Sequence, residues 1–397
     1  MALSLRNLVV SFLAAGTALG APAIQERQET AACTSTKKRR SWHSLSDEEK
    51  QTYIEAELCL MNTPSTSDLR GSRTKFDDFQ AIHVLQAEIA HFVGQFLPFH
   101  RLFVYAHEYA LETECGYEAG QPYWAEELDA GAFSKSILFD PELGFGGNGV
   151  GDSQCIQDGP FANYTNPLGP GYEISDHCIQ RQISDRASTS AQESVLERCM
   201  NMTDFMDFWP CIEGGPHGAG HGGVGAQMLN PISSPGDPLF MLHHTWLDRL
   251  WAKWQEQDPE TRLSAIGGNN RGGLGGGFPG GGFPGGGFPG GDFPDFPGFP
   301  GDFPGFPGGP DGDGPIPEDP ENPPEGDPEG APAPPFGGGG GGAFMGMIRP
   351  DDVPEPQVIG DPGNDTTLDH LLEMYGIVED RTIAEVMDIS DLCYEYD

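Results

Sequence analysis

The sequence predicts a mainly α-helical core wrapped in long, disulfide-stapled loops, and three observations lead there. Apolar residues recur at helical spacing in separate stretches, Gly, Pro and Asn are frequent between His107 and Met228, and cysteines are present in even number. Ser46-Asp47-Glu48-Glu49 reads as a capped helix start ahead of Tyr53, Ala56, Leu58 and Leu60. Phe99 to Leu111 is an apolar run interrupted by Arg101 and Glu108, while Leu242, Trp246, Leu250 and Trp254 fall on one helical stripe. Asp237-Pro238 precedes that stripe, where proline can begin a helix and aspartate can cap it.

Residues 1–20 read as a secretory signal: Arg6 gives a positive start, Leu8 to Leu19 is mostly apolar, and Ala18-Leu19-Gly20 offers small residues for cleavage. The apolar run is shorter than the ~20 residues that span a bilayer, so the expected location is extracellular. In that compartment Cys33, Cys59, Cys115, Cys155, Cys178, Cys199, Cys211 and Cys393 should form disulfides, with their pairing open. Sequons at Asn163, Asn201 and Asn364 fit the same route. A formal charge of -39 disfavours nucleic acid and anionic membranes, whose binding relies on cationic contacts. A small molecule is the expected partner.

Residues 21–40 read as a leader or N-terminal arm, in which Lys37-Lys38-Arg39-Arg40 is either a processing site or part of the fold. Residues 41–266 form the main domain. From 267 to 343 the composition changes: GGGFP recurs from Gly275, Gly280 and Gly285, and an acidic Pro-rich run follows. Such sequence has high backbone entropy and little periodic apolar surface, so a disordered insertion is expected, with surface contact through its repeated Phe as the functional alternative. Residues 344–397 resume patterned sequence and should dock back on the main domain.

Eleven histidines carry the functional argument. His217 and His221, at i and i+4, can meet one metal from a helix face. His83, His91 and His100 are spaced by 8 and 9, and eight helical residues rise about 12 Å, so a shared metal requires His91 to leave the helix that carries His83. Gly94 and Pro98 make the next interval compatible with a loop. Of His243-His244 only one can face a site, because neighbours on a helix point about 100° apart.

The stretch from His91 through Phe96-Leu97-Pro98-Phe99-His100-Arg101 to Glu108 resembles the first copper signature of the tyrosinase, catechol oxidase and hemocyanin superfamily. Asp237-Pro238-Leu239-Phe240-Met241-Leu242-His243-His244 with Asp248 resembles the second. The resemblance covers residues 41–266 and 366–397 and implies an antiparallel four-helix bundle core holding a binuclear copper site. His83, His91 and His100 would then bind one copper, CuA, and His217, His221 and His244 the other, CuB, with dioxygen as co-substrate. His243 would be the non-ligand neighbour, and His43, His107, His177 and His370 match no ligand position. Pro231, Gly222 and Met228 would line the substrate pocket.

In that family a glutamate before the first CuB histidine, with an asparagine after it, can hold a water that acts as base on monophenols. Glu213 fills the first position, but Gly218 fills the second and has no side chain. The resemblance therefore implies an enzyme that oxidises o-diphenols to o-quinones, with weak or no monophenol hydroxylation. A full tyrosinase, an o-aminophenol oxidase and a hemocyanin-like oxygen carrier use the same six ligands. Ile89 stands where many fungal members have the cysteine of a histidine thioether, Ala125 departs from the common Asp after Pro122-Tyr123-Trp124, and Tyr394-Glu395-Tyr396 resembles the aromatic pair that ends the catalytic core. No latency lid is expected.

Overall fold

The computed structural model describes residues 33, 35–272 and 349–397. The signal segment, most of the leader and the Phe-Pro repeats lie outside the described residues. Seven helices matter to the site: α1 (Asp47–Asn62), α2 (Lys75–Ala90), α3 (Phe96–Cys115), α4 (Glu193–Met200), α5 (Phe205–Ile212), α6 (Gly218–Val224) and α7 (Leu239–Glu256). The capping signals work as the sequence suggests. Ser46 Oγ accepts from Glu49 N–H and the Glu49 carboxylate accepts from Ser46 N–H, and Thr74 with Asp77 repeats this box at α2. Gly116 ends α3 in the left-handed region, φ 71°, which glycine enters without steric cost.

Helix α3 is central, packing on α7, α1 and α2. Trp42, Trp124, Trp246, Trp251 and Trp254 are wholly buried in the core these helices share with the loops. Pro98 lies within the first turn of α3, so the break between His91 and His100 is confined to residues 91–95. A proline is tolerated there because early helical N–H groups have no intrahelical acceptor.

Among the described residues there are three short ribbons: β1 (Lys37–Arg39) beside β6 (Tyr394–Tyr396) in parallel, β2 (Thr165–Leu168) with β3 (Ile174–Cys178), and β4 (Leu371–Leu372) with β5 (Arg381–Thr382). The basic run at 37–40 is thus structural: Arg39 is wholly buried, and its guanidinium meets Glu108 at 2.9 Å and Asp248 at 3.3 Å. Arg101 Nε and the Tyr394 and Tyr396 hydroxyls also donate to Asp248. Burial pushes that carboxyl up, but Arg101, Arg39 and the two tyrosines outweigh it and hold it below the usual range.

All eight cysteines are paired, as Cys33–Cys393, Cys59–Cys115, Cys155–Cys178 and Cys199–Cys211. The first bond and the β1–β6 ribbon fasten the N-terminal arm to the C-terminal segment. With no free cysteine, none is left to form a thioether to His91.

Candidate metal centre

Each histidine reaches the centre by a local rule. His83 lies within α2, while His91 is the residue after its last turn, with extended backbone, φ -127° and ψ 143°. Leaving the helix turns the chain back, and His100 arrives from the first turns of α3. The three rings lie with centroids 5.0 to 5.7 Å apart. On the other side α5, a π-helical turn Glu213–His217 and α6 run on continuously. Pro216 cannot donate to the Ile212 carbonyl, which favours the wider turn at this point. His217 and His221 follow with ring centroids 4.5 Å apart, and α7 supplies His244, stacked 4.1 Å from His100.

Five of the six rings are oriented in the same way. The Nδ1 atoms of His83, His91, His100, His217 and His221 bond to the carbonyls of Ile232, Ala87, Phe96, Glu213 and Met228. A carbonyl only accepts, so Nδ1 carries the proton and Nε2 keeps a bare lone pair. The Nε2 atoms of His83, His100 and His217 are buried without a hydrogen-bond partner, and His221 Nε2 lies 3.3 Å from His244 Nε2. Burial depresses all six rings, His91 to about 4 and His221 to about 3, so they are neutral near pH 7. Buried, unpartnered, neutral nitrogens are costly unless something accepts their lone pairs. Metal ions do so, and carbonyl-braced imidazoles are their usual ligands. The ligand atoms of His83, His91 and His100 lie within 4.8 Å of one another, as do those of His217, His221, His243 and His244. Imidazole donors suit copper.

The two sides differ in access. His217 and His221 are 9% and 8% exposed, against 3% or less for His83, His91, His100 and His244. Gly218 and Gly222, beside His217 and His221 in the chain, are half-buried, as is Pro231, whose neighbour Ile232 braces His83 through its carbonyl. A Cβ placed on Gly218 would meet nothing within 4 Å. Met228 is different: its side chain is buried in the core, and it serves the site through the carbonyl that orients His221. Glu213 is buried, with one oxygen accepting from Phe92 N–H at 2.6 Å and the other from Trp209 Nε1 at 2.6 Å. Burial pushes its carboxyl up to about 8, with both donors acting in the other direction.

Sequence reasoning missed three supports. His243 Nδ1 shares a 2.6 Å hydrogen bond with Glu126 Oε1, and Gly220 admits the pair, since a Cβ there would sit 2.2 Å from the His243 ring. Glu126 stands one position past Ala125, so the departure noted after Trp124 could have pointed to it. Phe240 packs on His83 and His244, with centroids 5.1 and 4.1 Å apart, and Phe96 lies 4.8 Å from both His100 and His217. The remaining histidines have local partners: His43 pairs with Asp129, His370 with Asp361, His107 with Gln121, and His177 with backbone carbonyls. Two cavities, of about 180 and 590 Å³, lie away from the centre, beside Tyr109, Gly376 and Ile377. Neither is lined by any of the six histidines of the centre.

The common central domain of tyrosinase matches residues 73–257, a span that holds all six histidines. The chain is 34% identical over 259 residues to the tyrosinase-like protein phomQ1 of Diaporthe leptostromiformis, covering 59% of this chain and 66% of that protein. It is also 34% identical to the tyrosinase-like protein orsC of Emericella nidulans, over 58% of this chain and 77% of that one. Among solved structures, a variant of the polyphenol oxidase from Thermothelomyces thermophila superposes with a TM-score of 0.54 at 31% identity, covering 58% of this chain and 74% of that one. The chain thus spans 66% to 77% of the length of these relatives. With its histidines in two facing triads inside the matched span, this chain belongs to the tyrosinase family of copper oxidoreductases.

Proposed function

We propose that the protein is a secreted oxidase of o-diphenols, with weak monophenol hydroxylation. His83, His91 and His100 would hold one copper, and His217, His221 and His244 the other. The bound metals would supply the two-electron chemistry that reduces dioxygen: two diphenols give four electrons and four protons, yielding two o-quinones and two waters. The protein's own part is to bind, orient and exclude. Carbonyl bonds fix five of the six imidazoles as neutral ligands, the Phe96 and Phe240 rings wall the centre, and the substrate would enter between Gly218, Gly222 and Pro231. Four disulfides suit an oxidising compartment. Among the described residues no helix is long and apolar enough to cross a membrane.

The observation that carries the diphenol preference is the pairing of Glu213 with Gly218. Both Glu213 oxygens already accept N–H groups, and beside His217 there is open space in place of a polar side chain. A water poised to take the proton of a monophenol would have no second holder, and positioned proton transfer is worth ~10²- to 10⁴-fold in rate. Oxygen consumption by the copper-loaded protein with 4-tert-butylcatechol and with tyrosol tests this. Rapid catechol turnover with little tyrosol oxidation is expected; equal turnover of both would make it a full tyrosinase and remove the argument from Gly218.

A further inference from the structure

The first residues of the insertion, 267–272, lie beside the His91 loop and are clasped there to residues 361–370 of the segment that follows it. Asn270 N–H donates to the Asn364 carbonyl at 2.9 Å, and Thr366 N–H to the Gly268 carbonyl at 2.7 Å. The Asn270 amide donates to Asp361 Oδ2 at 3.0 Å, the Gly363 carbonyl at 2.8 Å and the Asp365 carbonyl at 3.3 Å. Arg271 and Arg349 both approach the Glu355 carboxylate, at 3.8 and 4.0 Å, so the two ends meet in one place.

This clasp bears directly on residues 91–95. Gly94 N–H donates to the Asn269 carbonyl at 2.9 Å. Gln95 Nε2 donates to the Asn270 carbonyl at 2.8 Å and to the Ile89 carbonyl, near the end of α2, at 2.7 Å, while Gln95 Oε1 accepts from Thr366 Oγ1 at 2.6 Å. Gln95, Asn270 and Thr366 are 1%, 1% and 3% exposed. Contact is so close that a Cβ on Gly94 would lie 1.9 Å from the Gly267 carbonyl oxygen. The chain holding His91 is therefore gripped from both sides, by Glu213 at Phe92 and by the clasp at Gly94 and Gln95.

We propose that Asn270, Gln95 and Thr366 are positioning residues for His91, and that the clasp at the base of the insertion, rather than the insertion itself, sets how firmly CuA is held. The proposal rests on the reading of His91 as a copper ligand. Loss of a group hydrogen-bonded to a metal ligand typically costs 10- to 100-fold in metal affinity; the partner of the His91 ring is the Ala87 carbonyl, and the clasp acts one step further out through the backbone of residues 91–95, so about tenfold is expected.

Two measurements test it on the full chain, with Asn270→Ala, Gln95→Leu and a variant in which residues 273–348 are replaced by a flexible linker of about ten residues. In copper-free protein, hydrogen exchange across residues 89–97 should quicken about tenfold in Asn270→Ala and Gln95→Leu while residues 239–250 keep the wild-type rate. In copper-loaded protein, one of two phases of copper loss to a chelator should quicken about tenfold in the same variants. The linker variant should match wild type in both. Unchanged exchange across 89–97 in the two point variants overturns the proposal, and so does a linker variant that exchanges as fast as Asn270→Ala. A wild-type protein that takes up no copper overturns the proposed function instead, and exchange without copper still decides the clasp.

Discussion

The two triads are built from the same side chain yet stand in different surroundings. His83, His91 and His100 come from the end of one helix and the start of the next, with 3% exposure or less, and Phe103 packs on His83. His217 and His221 come from a glycine-rich rod beside Gly218 and Gly222 and reach 9% and 8% exposure, while their partner His244, on α7, is 1% exposed; the Phe96 and Phe240 rings touch both triads. Three imidazoles suffice to hold a metal on either side, so the contrast lies in access. Two histidines of one triad are slightly more exposed than the rest.

The largest expected effect would confirm that both sides are needed for one reaction. His100→Ala should lower copper uptake from two ions to one and catechol oxidation by ~10³-fold or more, read by metal analysis and oxygen consumption. Retained turnover would separate the triad of His83, His91 and His100 from the reaction.

Asp248 spans the contrast, because it lies one turn after His244 and accepts from Arg101, the neighbour of His100. Asp248→Asn leaves the buried Arg101 without a counter-charge and Arg39 with Glu108 alone, and should cost about 3–5 kcal/mol in thermal or denaturant unfolding of the whole domain. A loss confined to one triad would show that the two sides fold independently.

Acid should weaken the metal-free protein as well. Burial holds the six centre histidines below the unfolded value of ~6.5 in the folded state, so the unfolded chain binds more protons in that window. Stability is then complete above about pH 6.5 and falls as pH drops toward 4. His91, depressed to about 4, contributes on the order of 3 kcal/mol by that point. A melting temperature that stays level from pH 7 to 4.5 would contradict neutral, buried rings.

Gly218→Asn tests the His217 side with the smallest change. The space at Gly218 accepts a side chain, so folding should be kept while the tyrosol-to-catechol turnover ratio rises about tenfold. An unchanged ratio would place control of monophenol chemistry elsewhere.

How much was legible follows the same division. Capping boxes, helical stripes and histidine spacing are local, and Ser46, Thr74, His83 and the exit of His91 from α2 behave as local rules require. Pro98 was harder to place, since proline suits a loop and a first helical turn equally, and packing of α3 decided between them. The resemblance puts Met228 at a pocket position; its side chain lies in the core and its carbonyl does the orienting, a distinction no spacing carries.

By itself the sequence determined a mainly helical protein with an even number of cysteines and with histidines in and around two stretches that resemble copper signatures, because periodicity, capping and motif spacing are properties of neighbouring residues. Only the tertiary structure decided the four disulfide pairs, the Glu126–His243 contact, the burial of Arg39 against Asp248, and the clasp of Asn270 on Gln95. Those contacts join residues 117 to 360 positions apart, apart from the three shorter disulfide loops. Which distant groups meet depends on how helices and loops pack, since a buried polar group must find whatever partner the fold brings to it.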